Sequence, residues 1–281
     1  MELKIYHGSS VECGEKWMVE GVWDGEFNEG NFHKSENFFG SGVRIENDSV
    51  YFVSSTALDD RLLYCFYKGR VLVSNSLVLL LGWTGARLDP YHHYNESWSI
   101  ESGIFQYERK FHILHPEIEC FFQVYHANLV YEGGDIRTEI RSSLHEIASF
   151  EDYYSMLRSI LNRIGENIRS SSRNILLKSF TTLSSGYDST AVASLVKDIG
   201  VSTCFTSKYS SSNIPKWISK TAAIDAGNRI AEKLNLHTIY LEPKSKISED
   251  ELYFLAPAWA QFGTIFHSMA SYIEKHYDAA V

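Results

Sequence analysis

Residues 181–190 read Thr-Thr-Leu-Ser-Ser-Gly-Tyr-Asp-Ser-Thr, a β-prone start that breaks into small and hydroxyl-bearing residues and runs directly into the apolar stretch 191–196. A strand that ends in such a turn and opens a helix can hold a polyphosphate. Small residues let backbone N–H groups approach the anion, hydroxyls on Ser184, Ser185, Ser189 and Thr190 add donors, and the helix presents its positive end. Asp188 inside the loop then serves as a handle for Mg²⁺, without which carboxylate and phosphate would repel. The loop lacks the Gly-Lys-Ser/Thr ending of a Walker A loop, so ordinary kinase or GTPase chemistry is not indicated. The competing reading is a plain strand-to-helix turn in which Ser and Asp cap the helix.

Elements on both sides must position this loop. Upstream, Leu157, Ile160, Leu161, Ile164 and Ile168 recur at helical spacing opposite Arg158, Arg163, Glu166 and Arg169, the pattern of a surface helix packed on a sheet. Downstream, Gly200 ends the loop helix, residues 201–207 supply a second strand, and residues 221–234 a second helix with Ile224, Ile230, Ala231 and Leu234 inward. Residues 238–241 give a third strand. This alternation predicts an α/β fold with a doubly wound parallel sheet, whose ligands sit at the carboxyl ends of the strands.

The run 184–190 resembles the Ser-Gly-Gly-x-Asp-Ser-Ser/Thr loop of the N-type ATP pyrophosphatases, and the surrounding chain is similar to asparagine-synthetase-like proteins. The resemblance implies that Leu183, Ser184, Ser185, Gly186, Asp188, Ser189 and Thr190 bind ATP through its β and γ phosphates, with Mg²⁺ held through Asp188. It also implies cleavage between the α and β phosphates, with AMP passing to a carboxylate. Ser185 stands where the family has its first glycine, a departure that is costly only if the turn needs a left-handed residue there. Residues 225–237 are similar to the family segment in which an acidic residue opens a helix ending in Ala-x-x-Leu-Gly-x-x-His. Asp225 is therefore a candidate for the nucleotide or the metal, the alternative being an exposed helix acid. By position, strand 203–207 corresponds to the family's adenine-contacting strand, which puts backbone groups near Thr206 at the base.

The first half shows short apolar runs at 49–54, 62–67, 70–74, 120–125 and 128–131, separated by polar turns such as Lys68-Gly69. This predicts a mainly antiparallel β domain, residues 1–140, ahead of an ATP-pyrophosphatase domain, residues 141–281. The junction falls within 135–150, where Gly133-Gly134-Asp135 ends a hairpin and Arg141-Ser142-Ser143 precedes the next helix. In arrangement the first half resembles a degenerate class II glutamine amidotransferase domain, with Asp59, Leu63 and Tyr64 near the positions of one family motif and residues 71–76 at another. Family glutaminases use a cysteine at the mature amino terminus as nucleophile. Here residue 2 is Glu and the nearest thiol is Cys13, so no glutaminase activity is expected unless processing exposes Cys13, a loss also found in lasso-peptide cyclases of the same superfamily.

The 281 residues suit two domains. With 35 acidic against 26 basic residues, a net charge of −9 and no Lys/Arg stripe, nucleic-acid binding is not expected. No apolar run nears the roughly 18 residues of a membrane span; the run 76–82 is a short buried strand or a helix start. Residues 1–10 carry no signal-like apolar block, and a cytoplasmic protein without membrane association is expected. Cys13, Cys65, Cys120 and Cys204 form no Cys-x-x-Cys pair, which argues against a zinc ribbon, a disulfide scaffold or the tRNA-thiolating branch of the superfamily. His92-His93 and the His112/His115 pair read as surface or capping residues rather than metal ligands.

After a helical stretch at 256–276, interrupted by Pro257 and Gly263, residues 277–281 look like the start of another parallel strand. The resemblance implies that a further pyrophosphate-site loop and a catalytic lysine follow such a strand, so the chain is expected to be a fragment, or else to have lost half of the site. The function implied is ATP-dependent activation of a small carboxylate or peptide for amide-bond formation with an amine or ammonia, asparagine-synthase-like and without its own glutaminase. A peptide or natural-product ligase or cyclase, and a non-catalytic nucleotide-binding protein, remain alternatives, and a homodimer is left open.

Overall fold

The pairing of these strands comes from a computed structural model that describes residues 3–57, 60–92, 102–103, 106–141, 146–207, 226–241 and 260–277. The chain divides into two units, Met1–Tyr153 with Glu166–Asn174, and Tyr154–Gly165 with Ile175–Val281.

The first unit is built from β-branched and aromatic runs joined by tight turns. Its elements are β1 (Glu12–Cys13), β2 (Trp17–Trp23), β3 (Phe38–Glu46), β4 (Ser49–Val53), β5 (Leu62–Tyr67), β6 (Arg70–Ser74), α1 (Leu77–Thr84), β7 (Arg87–Leu88), β8 (Lys110–Leu114), β9 (Cys120–Val124), β10 (Ala127–Glu132) and β11 (Asp135–Ile140). Left-handed backbone at Lys68 and Gly69 (φ 49 and 71) closes the β5–β6 hairpin, and Gly133 and Gly134 (φ 61 and 104) close β10–β11. Turns of this hand match the twist of the strands they join. Two antiparallel sheets result, ordered β1-β2-β3-β4-β10-β11 and β6-β5-β9-β8-β7.

Leu62, Val124, Tyr64 and Val73 from one sheet pack with Ala127, Leu129, Phe52 and Ile136 from the other, so the two sheets share an inner core. Beneath the five-stranded sheet, Leu80 and Leu81 of α1 join Leu63, Phe111 and Phe121. Outside the six-stranded sheet, Phe27 and Phe32 cover Val19, Trp23, Phe38 and Val53. The run 76–82 resolves as helix: Ser76 Oγ caps α1 by accepting the Leu79 N–H, and Gly85 ends it at φ 75.

Three buried charged side chains, Glu12, Arg173 and Arg141, stiffen this unit. Glu12 and Arg173 form an ion pair with side chains only 4% and 2% exposed. The Arg173 guanidinium also donates to Gly21 O (3.0 Å) and Asn167 O (2.9 Å) and lies 4.3 Å from the centre of the Phe27 ring. Glu12 Oε1 in turn accepts the Asn174 N–H at 2.8 Å. Arg141 donates to Phe32 O and Ser35 O at 3.4 and 3.2 Å and to Ser54 O, and burial pulls its pKa down to about 10.

His33, 3% exposed, sits 3.1 Å from Glu46, which also holds Lys34 at 2.9 Å. Burial holds the imidazole below its ordinary 6.5, against the opposing pull of Glu46. The unfolded chain therefore takes up a proton below 6.5 that the folded chain resists, and stability falls as pH falls. Hydrogen bonds from Lys34 and His33 hold Glu46 below its ordinary 4.5, so its contribution is present above that pH and lost as pH drops through the lowered value. Urea denaturation midpoints are expected to decline on acidification in two stages, below 6.5 and then below 4.5. His33→Gln should abolish the first stage alone.

The second unit follows the α/β pattern. In α2 (Phe150–Ile168), Ser149 Oγ accepts the Asp152 N–H at 3.1 Å and donates to its carboxylate at 2.8 Å, which closes the first turn. Next come β12 (Thr181–Thr182), α3 (Tyr187–Lys197), β13 (Thr203–Ser207), α4 (Asn228–Leu234), β14 (His237–Leu241) and α5 (Ala260–His276). The strands make a parallel sheet in the order β12-β13-β14. Ala193 of α3 and Ala231 of α4 pack with Leu183, Cys204 and Leu236 on one face, while Met269, Tyr272 and Ile273 of α5 pack against Phe205, Ile239 and Leu241 on the other. The chain is thus mixed α/β, with two antiparallel sheets and one three-stranded parallel sheet. Strand order follows chain order, and no reversal of order occurs among the described strands. Among the described residues, no helix is long and apolar enough to cross a membrane.

Candidate nucleotide-binding loop

Residues 183–190 span the carboxyl end of β12 and the amino end of α3. The Leu183 N–H extends the ladder by donating to Phe205 O at 2.8 Å, and its side chain is buried in the core. Ser184 then leaves the sheet and forms an isolated antiparallel bridge with Ala226. Hydroxyls knit the turn. Ser189 Oγ accepts the Ser184 N–H at 3.0 Å and lies 2.9 Å from Ser184 Oγ, which accepts the Gly186 N–H at 3.1 Å. Thr190 Oγ1 donates to Gly186 O at 2.7 Å, which ties the first turn of α3 back to its cap.

Gly186 caps α3 at φ −75, ψ 162, and no side chain caps the helix. Gly186 itself offers the first-turn amides no side-chain acceptor. Ser185 is not among the residues with positive φ, so serine replaces glycine there without backbone strain. A Cβ at Gly186 would meet only Ser184 Oγ, at 3.3 Å. Ser185, Gly186 and Asp188 are exposed and Ser184, Ser189 and Thr190 half-buried, while Tyr187 stands 95% exposed at the mouth.

The structure brings seven of the sequence-based site residues into this turn. Thr206 lies buried near the end of the neighbouring β13, where its hydroxyl accepts the Gly227 N–H at 2.9 Å. Asp225, Ile224 and the rest of 221–225 lie outside the described residues, as do Asp59, His93 and Ser142-Ser143.

Gly227 was not legible as part of the site. A Cβ there would lie 2.6 Å from Leu183 Cγ and 2.8 Å from Leu183 C and O, so only glycine lets the start of α4 press on the loop. Its φ of −80 makes no such demand. The sequence pattern predicts a helix running through Gly227, from 221 to 234, whereas the helix begins at Asn228 with Gly227 as its cap.

Among the described residues, no group of three or more His, Cys, Asp or Glu side chains gathers as a metal site. A lone Asp188 suits a metal that takes most of its ligands from phosphate and water. The four thiols are free: Cys13 is exposed in β1, whereas Cys65, Cys120 and Cys204 are buried, and burial pushes Cys65 up to about 11 and raises the other two. His92 Nδ1 lies 2.8 Å from Asp89 O, and His115 Nδ1 accepts the Glu117 and Ile118 N–H groups at 3.0 and 3.1 Å. Compared with known proteins, the chain matches no family model and no curated protein.

Proposed function

We propose that residues 183–190 bind the β and γ phosphates of ATP and that the protein activates a carboxylate for amide-bond formation, as asparagine-synthetase-like enzymes do. The observation that carries this reading is a hydroxyl-knit turn between a parallel strand and a helix whose N-cap is a glycine, with no side chain of its own to occupy the first-turn amides. Such a site favours phosphate through both hydrogen bonding and the helix dipole. Ser184 and Ser189 hold the turn closed before ligand arrives, so little ordering remains to be done on binding. Backbone groups near Thr206, at the same end of the sheet, read the adenine.

Asp188 would hold Mg²⁺ together with the phosphates, and the ion would supply charge neutralisation for the departing pyrophosphate. In the reaction, a carboxylate oxygen attacks the α-phosphorus, the bond from that phosphorus to the bridging β oxygen breaks, and pyrophosphate leaves. An amine then attacks the acyl carbon, AMP departs, and the amine's proton passes to solvent. The first-turn amides of α3 stabilise the charge that builds on the leaving pyrophosphate. The same proposal takes the three-stranded parallel sheet, with helices on both faces, as a segment of a doubly wound sheet, and the β-rich unit as a degenerate amidotransferase-like domain. Free thiols throughout suit a reducing, cytoplasmic setting.

Calorimetric titration with Mg·ATP tests the proposal. Saturable binding is expected, weakened by about tenfold or more in Asp188→Asn, a loss of roughly 1.4 kcal/mol or more. Absence of binding by the folded chain, or equal affinity in the variant, would defeat it. Pyrophosphate release across a panel of carboxylates then identifies the substrate.

A further inference from the structure

β11 closes one edge of the six-stranded sheet and, among the described strands, pairs with β10 alone. Its register with β10 is continuous from Glu132↔Asp135 to Ala127↔Ile140, without a bulge. In a hairpin with a two-residue turn, the pair flanking the turn exchanges hydrogen bonds, and bonded and non-bonded pairs then alternate. Ile136, Thr138 and Ile140 consequently direct their N–H and C=O groups away from β10, towards the open edge. All of β11 except Ile136 is exposed, and Ile140 is 66% exposed.

Proteins guard such edges with lysine, proline, bulges or inward-pointing charge. β11, Asp-Ile-Arg-Thr-Glu-Ile, has neither lysine nor proline, and its charges complement themselves. Laid antiparallel on a second copy about Thr138, the strand puts Thr138 opposite Thr138, Arg137 opposite Glu139 and Ile136 opposite Ile140. The three outward-facing residues then form the bonded pairs, each exchanging N–H···O=C in both directions. Centring on residue 137 or 139 instead would oppose Arg137 to Arg137 or Glu139 to Glu139. Of these three registers, only the one centred on Thr138 opposes unlike charges.

Side chains agree with that register. Ile136 packs on the inner core of the sandwich, and residues 136, 138 and 140 share a face. Ile140 of the second copy would lie beside Ile136 and be covered in return. On the opposite face, Arg137 is held only loosely, 3.5 Å from Glu132 and 3.5 Å from Glu139 on a half-exposed surface, where Glu139 of the second copy would arrive.

We propose that the chain forms a two-fold dimer by pairing β11 with β11 of a second copy, which joins the two six-stranded sheets into one. Sedimentation velocity of the full chain tests this from about 1 to about 500 μM, a range suited to an interface at the small, weak end of the scale. The wild-type mass is expected to double with concentration. Arg137→Glu should stay monomeric throughout, because it opposes carboxylate to carboxylate, and Arg137→Glu/Glu139→Arg should restore the dimer by reversing the pair. Thr138→Pro, which deletes an N–H that β10 does not use, should also stay monomeric with an unchanged far-ultraviolet spectrum. A wild-type chain that is monomeric at every concentration would overturn the proposal. So would folded Arg137→Glu or Thr138→Pro dimerising as the wild type does, or failure of the charge swap to rescue.

Discussion

Arg173→Ala will destabilise the β-rich unit by about 3–5 kcal/mol, the range for breaking a buried ion pair from one side. The variant takes the guanidinium from the buried Glu12 carboxylate, strips donors from the Gly21 and Asn167 carbonyls, and empties the space over Phe27. Arg173→Lys should recover little, because one ammonium cannot reproduce bonds made separately by Nε, Nη1 and Nη2. Burial is the first cause acting on the Arg173 pKa and lowers it, against the raising pull of Glu12. Desolvation thus outweighs attraction, and replacing both partners together, as Glu12→Leu/Arg173→Met, should cost far less than either single change. Urea denaturation followed by tryptophan fluorescence reports all four proteins. A loss below about 1 kcal/mol in Arg173→Ala would be the value for an exposed pair and would show the site to be wet.

Gly186→Asp is the counterpart at the nucleotide loop, and it should move stability and binding in opposite directions. An N-cap in extended backbone is where aspartate is preferred; at φ −75, ψ 162 the substitution meets no backbone strain, and Ser184 Oγ, 3.3 Å from the new Cβ, has to give by a few tenths of an ångström. The new carboxylate would accept the first-turn amides of α3, so the thermal midpoint should hold or rise slightly. Those amides are the donors proposed for ATP, and the carboxylate would add a second negative charge beside Asp188. Affinity for Mg·ATP is expected to fall by about 100-fold, or roughly 2.7 kcal/mol, in the calorimeter. An ordinary turn would show the gain in stability with no binding to lose.

Local chemistry explains what could be read in advance. Lys68-Gly69 and Gly133-Gly134 marked hairpins because left-handed backbone favours few residues, and the strand, small-residue turn and helix at 181–197 announced themselves by composition. The run 76–82 stayed ambiguous because it is apolar on every side and therefore has no period; the Ser76 cap decides it. Long-range choices left no such mark. Glu12 and Arg173 are 161 residues apart, and nothing near either announces burial. Gly227 matters through Leu183, a neighbour that only folding supplies. The parallel sheet was expected from alternation, but strand order is a property of the assembled sheet and cannot be spelled by any one segment.

The distribution of thiols has a practical corollary. Three of the four cysteines are buried and carry raised pKa values, and thiolate rather than thiol reacts with electrophiles. Near neutral pH a maleimide dye would therefore attach at Cys13 and leave the others untouched, without any engineering of the chain. Cys13 adjoins Glu12 in β1, so the native protein carries its own single-colour reporter at the anchor that Arg173 secures.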